Sequence, residues 1–243
     1  MMNNPKNTIK LKLLALFLFS FFAYSAQGQT TVKASDIMMA LKQGEAVKYK
    51  DVTVTGILDF TFMDEKMTDL PRRRSWWKSG GDNTVNEVIE SKLSFENVVF
   101  KDHVIAYYHD DRTEYTFTAD FENNVNFKNC IFQRNSMFKY SEFEKAASFE
   151  GSSFEEESTF KYAEFSELAD FANTKFDEDG IFKYTKFRRG VSFISARFEQ
   201  SLDLKYTEVR GDFEIKDLYV RQDIDSKYTD INGKGFAKFT PRN

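Results

Sequence analysis

Between residues 121 and 198 the apolar positions of this chain fall on a beat that is neither helical nor simply extended. Phenylalanine stands at fifteen positions in succession, Phe121, Phe127, Phe132, Phe138, Phe143, Phe149, Phe154, Phe160, Phe165, Phe171, Phe176, Phe182, Phe187, Phe193 and Phe198, and the gaps alternate six, five, six, five. A helix face needs apolar residues at spacings of three and four and a strand needs every second residue, so this beat belongs to a repeating coil. Two residues before each Phe sits a small or modest side chain, from Ala119, Val125 and Cys130 through Ser158, Ala163 and Gly180 to Val191 and Ala196. In extended backbone residues two apart face the same way, so the small residue and the Phe point inward together while the residue between them meets water.

A longer period sets the number of sides. The segment FKYSEF at Phe138 returns as FKYAEF at Phe160, FKYTKF at Phe182, LKYTEV at Leu204 and SKYTDI at Ser226, a constant period of 22. Two gaps of six and two of five fill one such period, so each repeat predicts one turn of a four-sided coil stacked on the last.

These residues resemble the pentapeptide-repeat family, whose units carry a central Leu or Phe with a small residue two positions before it. The resemblance covers roughly residues 119 to 232. It implies an all-β fold, a right-handed quadrilateral β-helix. Strict pentapeptide repeats keep five residues per side, whereas alternate sides here hold six, so each coil is expected to bulge. The Asp or Asn expected before the central residue is only occasional, as in Asp120, Asn126 and Asp170.

Outside the repeat the chain divides into a targeting segment at 1–28, a cap with first coils and inserted loops at 29–118, the solenoid at 119–232 and a tail at 233–243. Lys6, Lys10 and Lys12 followed by an apolar run from Leu13 to Tyr24 and by Ala26, Gln27 and Gly28 read as a cleaved signal peptide. The run is shorter than the roughly 20 residues that span a bilayer, so the expectation is an exported chain, secreted or periplasmic, with no stable membrane anchor. Residues 34–43, with Ser35 or Asp36 as N-cap and Gly44 as the stop, predict a short helix capping the open end of the coil. VIAYY and TEYTFTADF around Asp110 and Asp111 predict a β-hairpin.

Composition narrows the chemistry. The 27 Phe are the material of the core, and each contributes on the order of 1.5 to 3 kcal/mol on burial. The formal charge of -4 becomes -7 once the three leader lysines are removed, which argues against nucleic acid as a partner. Cys130 is the only cysteine and lies in the inward column, so it reads as an inert buried thiol. The two histidines, His103 and His109, fall near one hairpin with no nucleophile, zinc spacing or phosphate loop around them, so no enzyme activity and no cofactor are expected.

Three groups of residues are candidates for binding. Arg72, Arg73, Arg74, Trp76 and Trp77 form a loop rich in the residues of interface hot spots, which either binds a partner or folds back as a plug. Tyr140, Tyr162, Tyr184, Tyr206 and Tyr228 recur once per repeat beside a lysine column, and would stack with an acidic column offsetting the lysines or grip an extended polymer. Glu155, Glu156 and Glu157 stack beneath Asp177, Glu178 and Asp179, a solvated acidic face or a Ca²⁺ site. The function expected is an exported non-catalytic scaffold or binding module for a protein or an extended polymer. A Ca²⁺-dependent β-helix that binds or acts on polysaccharide is the alternative. Some members of the family are described as DNA mimics that inhibit topoisomerases, a role that requires the cytoplasm and is disfavoured by the leader.

Overall fold

The computed structural model describes residues 30–70 and 83–239. Two compact units divide the chain between Thr30 and Thr31, and the first lies almost wholly outside the described residues. The second is a parallel β-helix with four walls. Seven strands stack in each wall, with Thr30–Lys33 added at the edge of one and Tyr107–Asp110 flanking another.

One coil shows the order of the walls: Val125–Lys128 in the first, Ile131–Phe132 in the second, Ser136–Met137 in the third and Glu142–Phe143 in the fourth. The next coil repeats this order one period later, in the register Val125↔Ala147, Phe132↔Phe154, Ser136↔Ser158 and Phe143↔Phe165. All fifteen phenylalanines of the beat are at most 1 % exposed, and the small residues before them are buried with them. Stacking like on like builds columns such as Phe132, Phe154, Phe176 and Phe198, whose rings lie parallel at 4.6–4.7 Å. Neighbouring columns meet edge to face, as Phe149 and Phe160 do at 5.2 Å and 77°, the arrangement that aromatic quadrupoles prefer.

The alternating gap of five and six resolves at the corners rather than in the walls. Corners after the first and third walls are tight turns closed by a hydrogen bond from residue i+3 to residue i, such as Thr174 N to Phe171 O and Thr185 N to Phe182 O. Those after the second and fourth walls are wider bends, for example Asp177, Glu178 and Asp179, and they hold the extra residue. The expected bulge of the sides is therefore a property of two corners.

The first two coils are longer than the rest. Val47 pairs with Leu93 and Leu93 with Val125, separations of 46 and 32 in sequence, before the spacing settles at the regular period with Val125 on Ala147. Both lengthenings leave between the third and fourth walls: one after Leu58–Asp59, containing a helix at Met63–Asp69, and one after Val104–Ile105, the hairpin of Tyr107–Asp110 and Tyr115–Phe121. Walls therefore begin at Val47, well before the regular coils that the Phe beat marks.

The helix Ala34–Lys42 buries Ala34, Ile37 and Leu41, as a cap on the coil requires, and contacts the strands Val47–Lys50 and Leu58–Asp59. Its N-cap is Lys33, without a side-chain bond, ahead of the expected Ser35 or Asp36, while Gly44 follows its end at φ 70°. At the far end Phe236 of a short 3₁₀ turn packs on Phe213, so the tail covers the last coil.

Candidate binding surface

The corner after the third wall carries the tyrosines. In each turn Phe-Lys-Tyr-Ser and its repeats, the tyrosine is the third residue and sits in the left-handed region: Tyr140 at φ 64°, Tyr162 at 62°, Tyr184 at 61°, Tyr206 at 58° and Tyr228 at 61°. A type II turn demands φ > 0 there, and Gly or Asn meets the demand without strain. The corner after the first wall has the same geometry and uses such turn residues, Asp51, Asn97, Asn129, Gly151, Asn173, Ser195 and Asp217.

A bulky residue in this conformation costs about 1–2 kcal/mol. The rings recover part of that: Tyr140, Tyr162, Tyr184 and Tyr206 stack in parallel at 4.7–4.8 Å, and Tyr228 continues the ladder at 4.8 Å and 24°. Each stacked pair is worth about 0.5–1.5 kcal/mol. Lysine ammonium groups lie over the rings at 4.9 Å for Lys139, 5.1 Å for Lys161 and 5.4 Å for Lys183, adding about 0.5–1 kcal/mol at exposed sites. Gain and strain come out about even, so stability does not explain why this corner holds Tyr where the opposite one holds Asn. Stacking also covers the ring faces, so the ladder offers solvent its edges and hydroxyls; Tyr140 is 43 % exposed and Tyr228 63 %.

Three members of the acidic column expected to neutralise these lysines, Glu164, Glu208 and Asp230, are committed elsewhere, while Glu142 forms no ion pair among the described residues. Glu164 accepts from Arg188 Nε and pairs with Lys186, and the Arg188 hydrogen bond holds its carboxyl below the usual range. Arg210 takes both Glu208 and Asp230. Among the described residues from 125 to 212 the basic side chains without a carboxylate partner are Lys139, Lys145, Lys161 and Lys183, three of which share the tyrosine corner; Lys205 there pairs with Asp225 at 2.8 Å. Lys139 donates to the Tyr107 hydroxyl at 3.0 Å.

At the head of the ladder the fourth wall widens into the long strands Thr84–Ile89 and Tyr115–Phe121. Between them and the ladder lies a cleft of about 290 Å³ lined by Thr84, Asn86, Thr116, Thr118, Asp120 and Tyr140. Thr118 Oγ1 donates to Asn86 Oδ1 (2.8 Å), Asn86 Nδ2 to Asp120 Oδ2 (2.7 Å) and the Glu142 N–H to Asp120 Oδ1 (2.8 Å). His109 Nδ1 lies 2.9 Å from Thr116 Oγ1, so this histidine belongs to the hairpin's hydrogen bonding. Burial raises the Asp120 carboxyl above its ordinary value, and burial together with the charge of Asp120 raises that of Glu142. The cleft carries no periodic sequence signal; only the hairpin prediction pointed near it.

The stacked acidic corner is not a cage. Glu156 pairs with Arg134 of the preceding coil, Asp177 with Lys175 at 2.5 Å, and Asp179 Oδ1 accepts the Ser201 N–H at 2.9 Å. Glu155, Glu157 and Glu178 lie exposed around them. Among the described residues no group of three or more His, Cys, Asp or Glu side chains converges where a metal ion could be held. Of the six carboxylates proposed from the sequence as a Ca²⁺ site, three are thus taken by separate partners and three lie exposed. Cys130 is fully buried, with its thiol pushed up to about 12 by desolvation, as an inert core residue would be. Arg72, Arg73, Arg74, Trp76 and Trp77 lie outside the described residues.

Four parallel walls, a core of stacked phenylalanine and a surface of outward ladders define a quadrilateral β-helix of repeat type. Residues 138–186 and 160–208 each match the sequence model of pentapeptide repeats (nine copies), so this stretch of the chain is built of pentapeptide repeats. No curated protein and no solved structure matches it. The fold supports a non-catalytic repeat protein.

Proposed function

We propose that this protein is an exported, non-catalytic scaffold whose tyrosine corner is its binding surface. The observation that carries the reading is the corner asymmetry: Asn, Asp, Gly and one Ser, residues suited to turns, on one tight corner, five left-handed tyrosines on the other. Strained residues held at an exposed position without a stability gain are the pattern of a surface kept for contact. Both lengthened coils also emerge at this corner, which gathers the irregular parts of the chain beside the ladder. Export is supported by the leader pattern of residues 1–28.

The test is the double variant Tyr162→Asn/Tyr184→Asn, compared with wild type in capture from a native envelope fraction. Its stability should stay within about 1.5 kcal/mol of wild type, because lost stacking is offset by relieved strain. Capture should be lost. Unchanged capture would remove the corner from the function, and a mass for the secreted chain that retains residues before Gln29 would remove the cleaved leader.

A further inference from the structure

Resting on that reading, we infer that the tyrosine corner and the cleft at its head form one track for a linear polyuronate, a chain of sugar acids with one carboxylate per ring. The ammonium groups of Lys139, Lys161 and Lys183 take successive carboxylates, and the cleft takes the hydroxyls of the terminal sugar.

Charge gives the first half of the argument. Along the regular coils basic side chains are neutralised one by one, Lys128 by Glu150, Arg134 by Glu156, Lys175 by Asp177 and Arg197 by Glu199, yet the lysine row beside the ladder is left without carboxylates over three successive coils. None of the neighbouring acids forms an ion pair with the row: Glu164 is held by Arg188 and Lys186, and Asp120 accepts from the Glu142 N–H and Asn86. A row of uncompensated cations at one per coil fits an anion of matching repeat.

Spacing selects which anion. The ladder advances 4.7–4.8 Å per coil. Phosphates of one duplex strand rise about 3.4 Å per nucleotide along the helix axis while winding around it, so they do not follow a straight row. An extended peptide advances about 3.3–3.4 Å per residue and turns alternate side chains away. A chain of pyranose rings advances by one ring and one glycosidic oxygen per step, close to one coil.

The cleft supplies the second half. Its lining is hydroxyl, amide and carboxylate with a single aromatic side chain, Tyr140, the polar set that hydrogen-bonds a polyhydroxylated ring. Its volume of about 290 Å³ is at the small end for ligand sites, room for one sugar rather than an oligomer. Tyr140 belongs to both parts: one face stacks on Tyr162, and the other meets Tyr107 at 46° instead of a parallel ring. The track therefore runs without a break from the cleft onto the ladder.

The experiment is calorimetric titration of the mature chain with oligogalacturonates of graded length at low ionic strength, with cello-oligosaccharides of the same lengths and linear polyphosphate as comparators. Affinity should rise with length over the first few sugars, and the neutral oligomers should bind at least tenfold more weakly. Lys161→Gln/Lys183→Gln should lose at least tenfold in affinity for the longer oligomers while keeping the β-type circular dichroism of the wild type. Thr118→Val should weaken even the shortest oligomer that binds wild type. Absence of oligogalacturonate binding, equal binding of neutral oligomers, tighter binding of polyphosphate, or indifference to the lysine substitutions would each overturn the inference. If these fail while envelope capture still depends on Tyr162 and Tyr184, the binding corner stands and only the ligand assignment falls.

Discussion

Ser141 and Ser136 bury their hydroxyls without a hydrogen-bond partner. In the later coils the residue at the Ser141 position donates to the carbonyl one coil back: Thr185 to Phe160 O, Thr207 to Phe182 O and Thr229 to Leu204 O, each at 2.7 Å. By register the acceptor for Ser141 would be Ala106 O, which takes the Ala119 N–H just as Phe160 O takes that of Ala163, but which receives no hydroxyl bond from Ser141. An orphaned buried hydroxyl costs about 1–3 kcal/mol, so Ser141→Ala should raise the melting temperature, whereas Thr207→Val should lower it by removing a satisfied one. Ala163 already fills the equivalent place one coil later, so the methyl fits. A lower melting point for Ser141→Ala would show the hydroxyl to be bonded. Which residues point inward was fully legible in the sequence, because the period of two leaves no choice once Phe is fixed. Whether an inward hydroxyl finds a partner was not, since that depends on the rotamer each hydroxyl takes in the packed coil and not on the pattern of inward positions.

At the level of turns and columns, the five-and-six beat predicted four sides, but not that the sixth residue goes into a bend. Nor did it reveal left-handed tyrosine, because turn propensity assigns that place to Gly or Asn and only the three-dimensional stack offsets the departure. The acidic corner shows the converse. Its stacking from coil to coil was visible, while the pairing of Glu156 with Arg134 and Asp177 with Lys175 depends on side-chain reach across coils and within a wall. The column on the fourth wall yields a pH prediction. Glu142 is held above its ordinary value, by burial first and then by Asp120 and Glu164, so the unfolded chain is the stronger acid and ionisation at neutral pH works against the fold. The sign is therefore that Glu142→Gln stabilises at pH 7, and that the gain shrinks as pH falls and vanishes below about pH 4, where the unfolded carboxyl is itself protonated. Thermal melts of both proteins across that range would measure it. A gain that persists at low pH would assign the effect to something other than charge.

Across the whole stack, every coil contacts only its neighbours through in-register strands, so stability accumulates coil by coil. Removing 147–168 takes out one complete coil and brings Ala169 into the place of Ala147, with each wall re-pairing like on like. The shortened chain should fold, keep its β-type circular dichroism and melt at a lower temperature. Removing only half a coil, 158–168, would set first-wall residues against third-wall ones and should leave an aggregating chain. Failure of the full-coil deletion to fold would mean that the coils are not interchangeable units.

Both lengthened coils depart from the same corner, after Leu58–Asp59 and after Val104–Ile105, and the tyrosines occupy that corner in every coil that follows. A stack that would otherwise look alike from four sides thus acquires a front. Copies of such a protein can be crowded shoulder to shoulder, or pressed against a wall, along the other three corners without any of them losing the one that faces out.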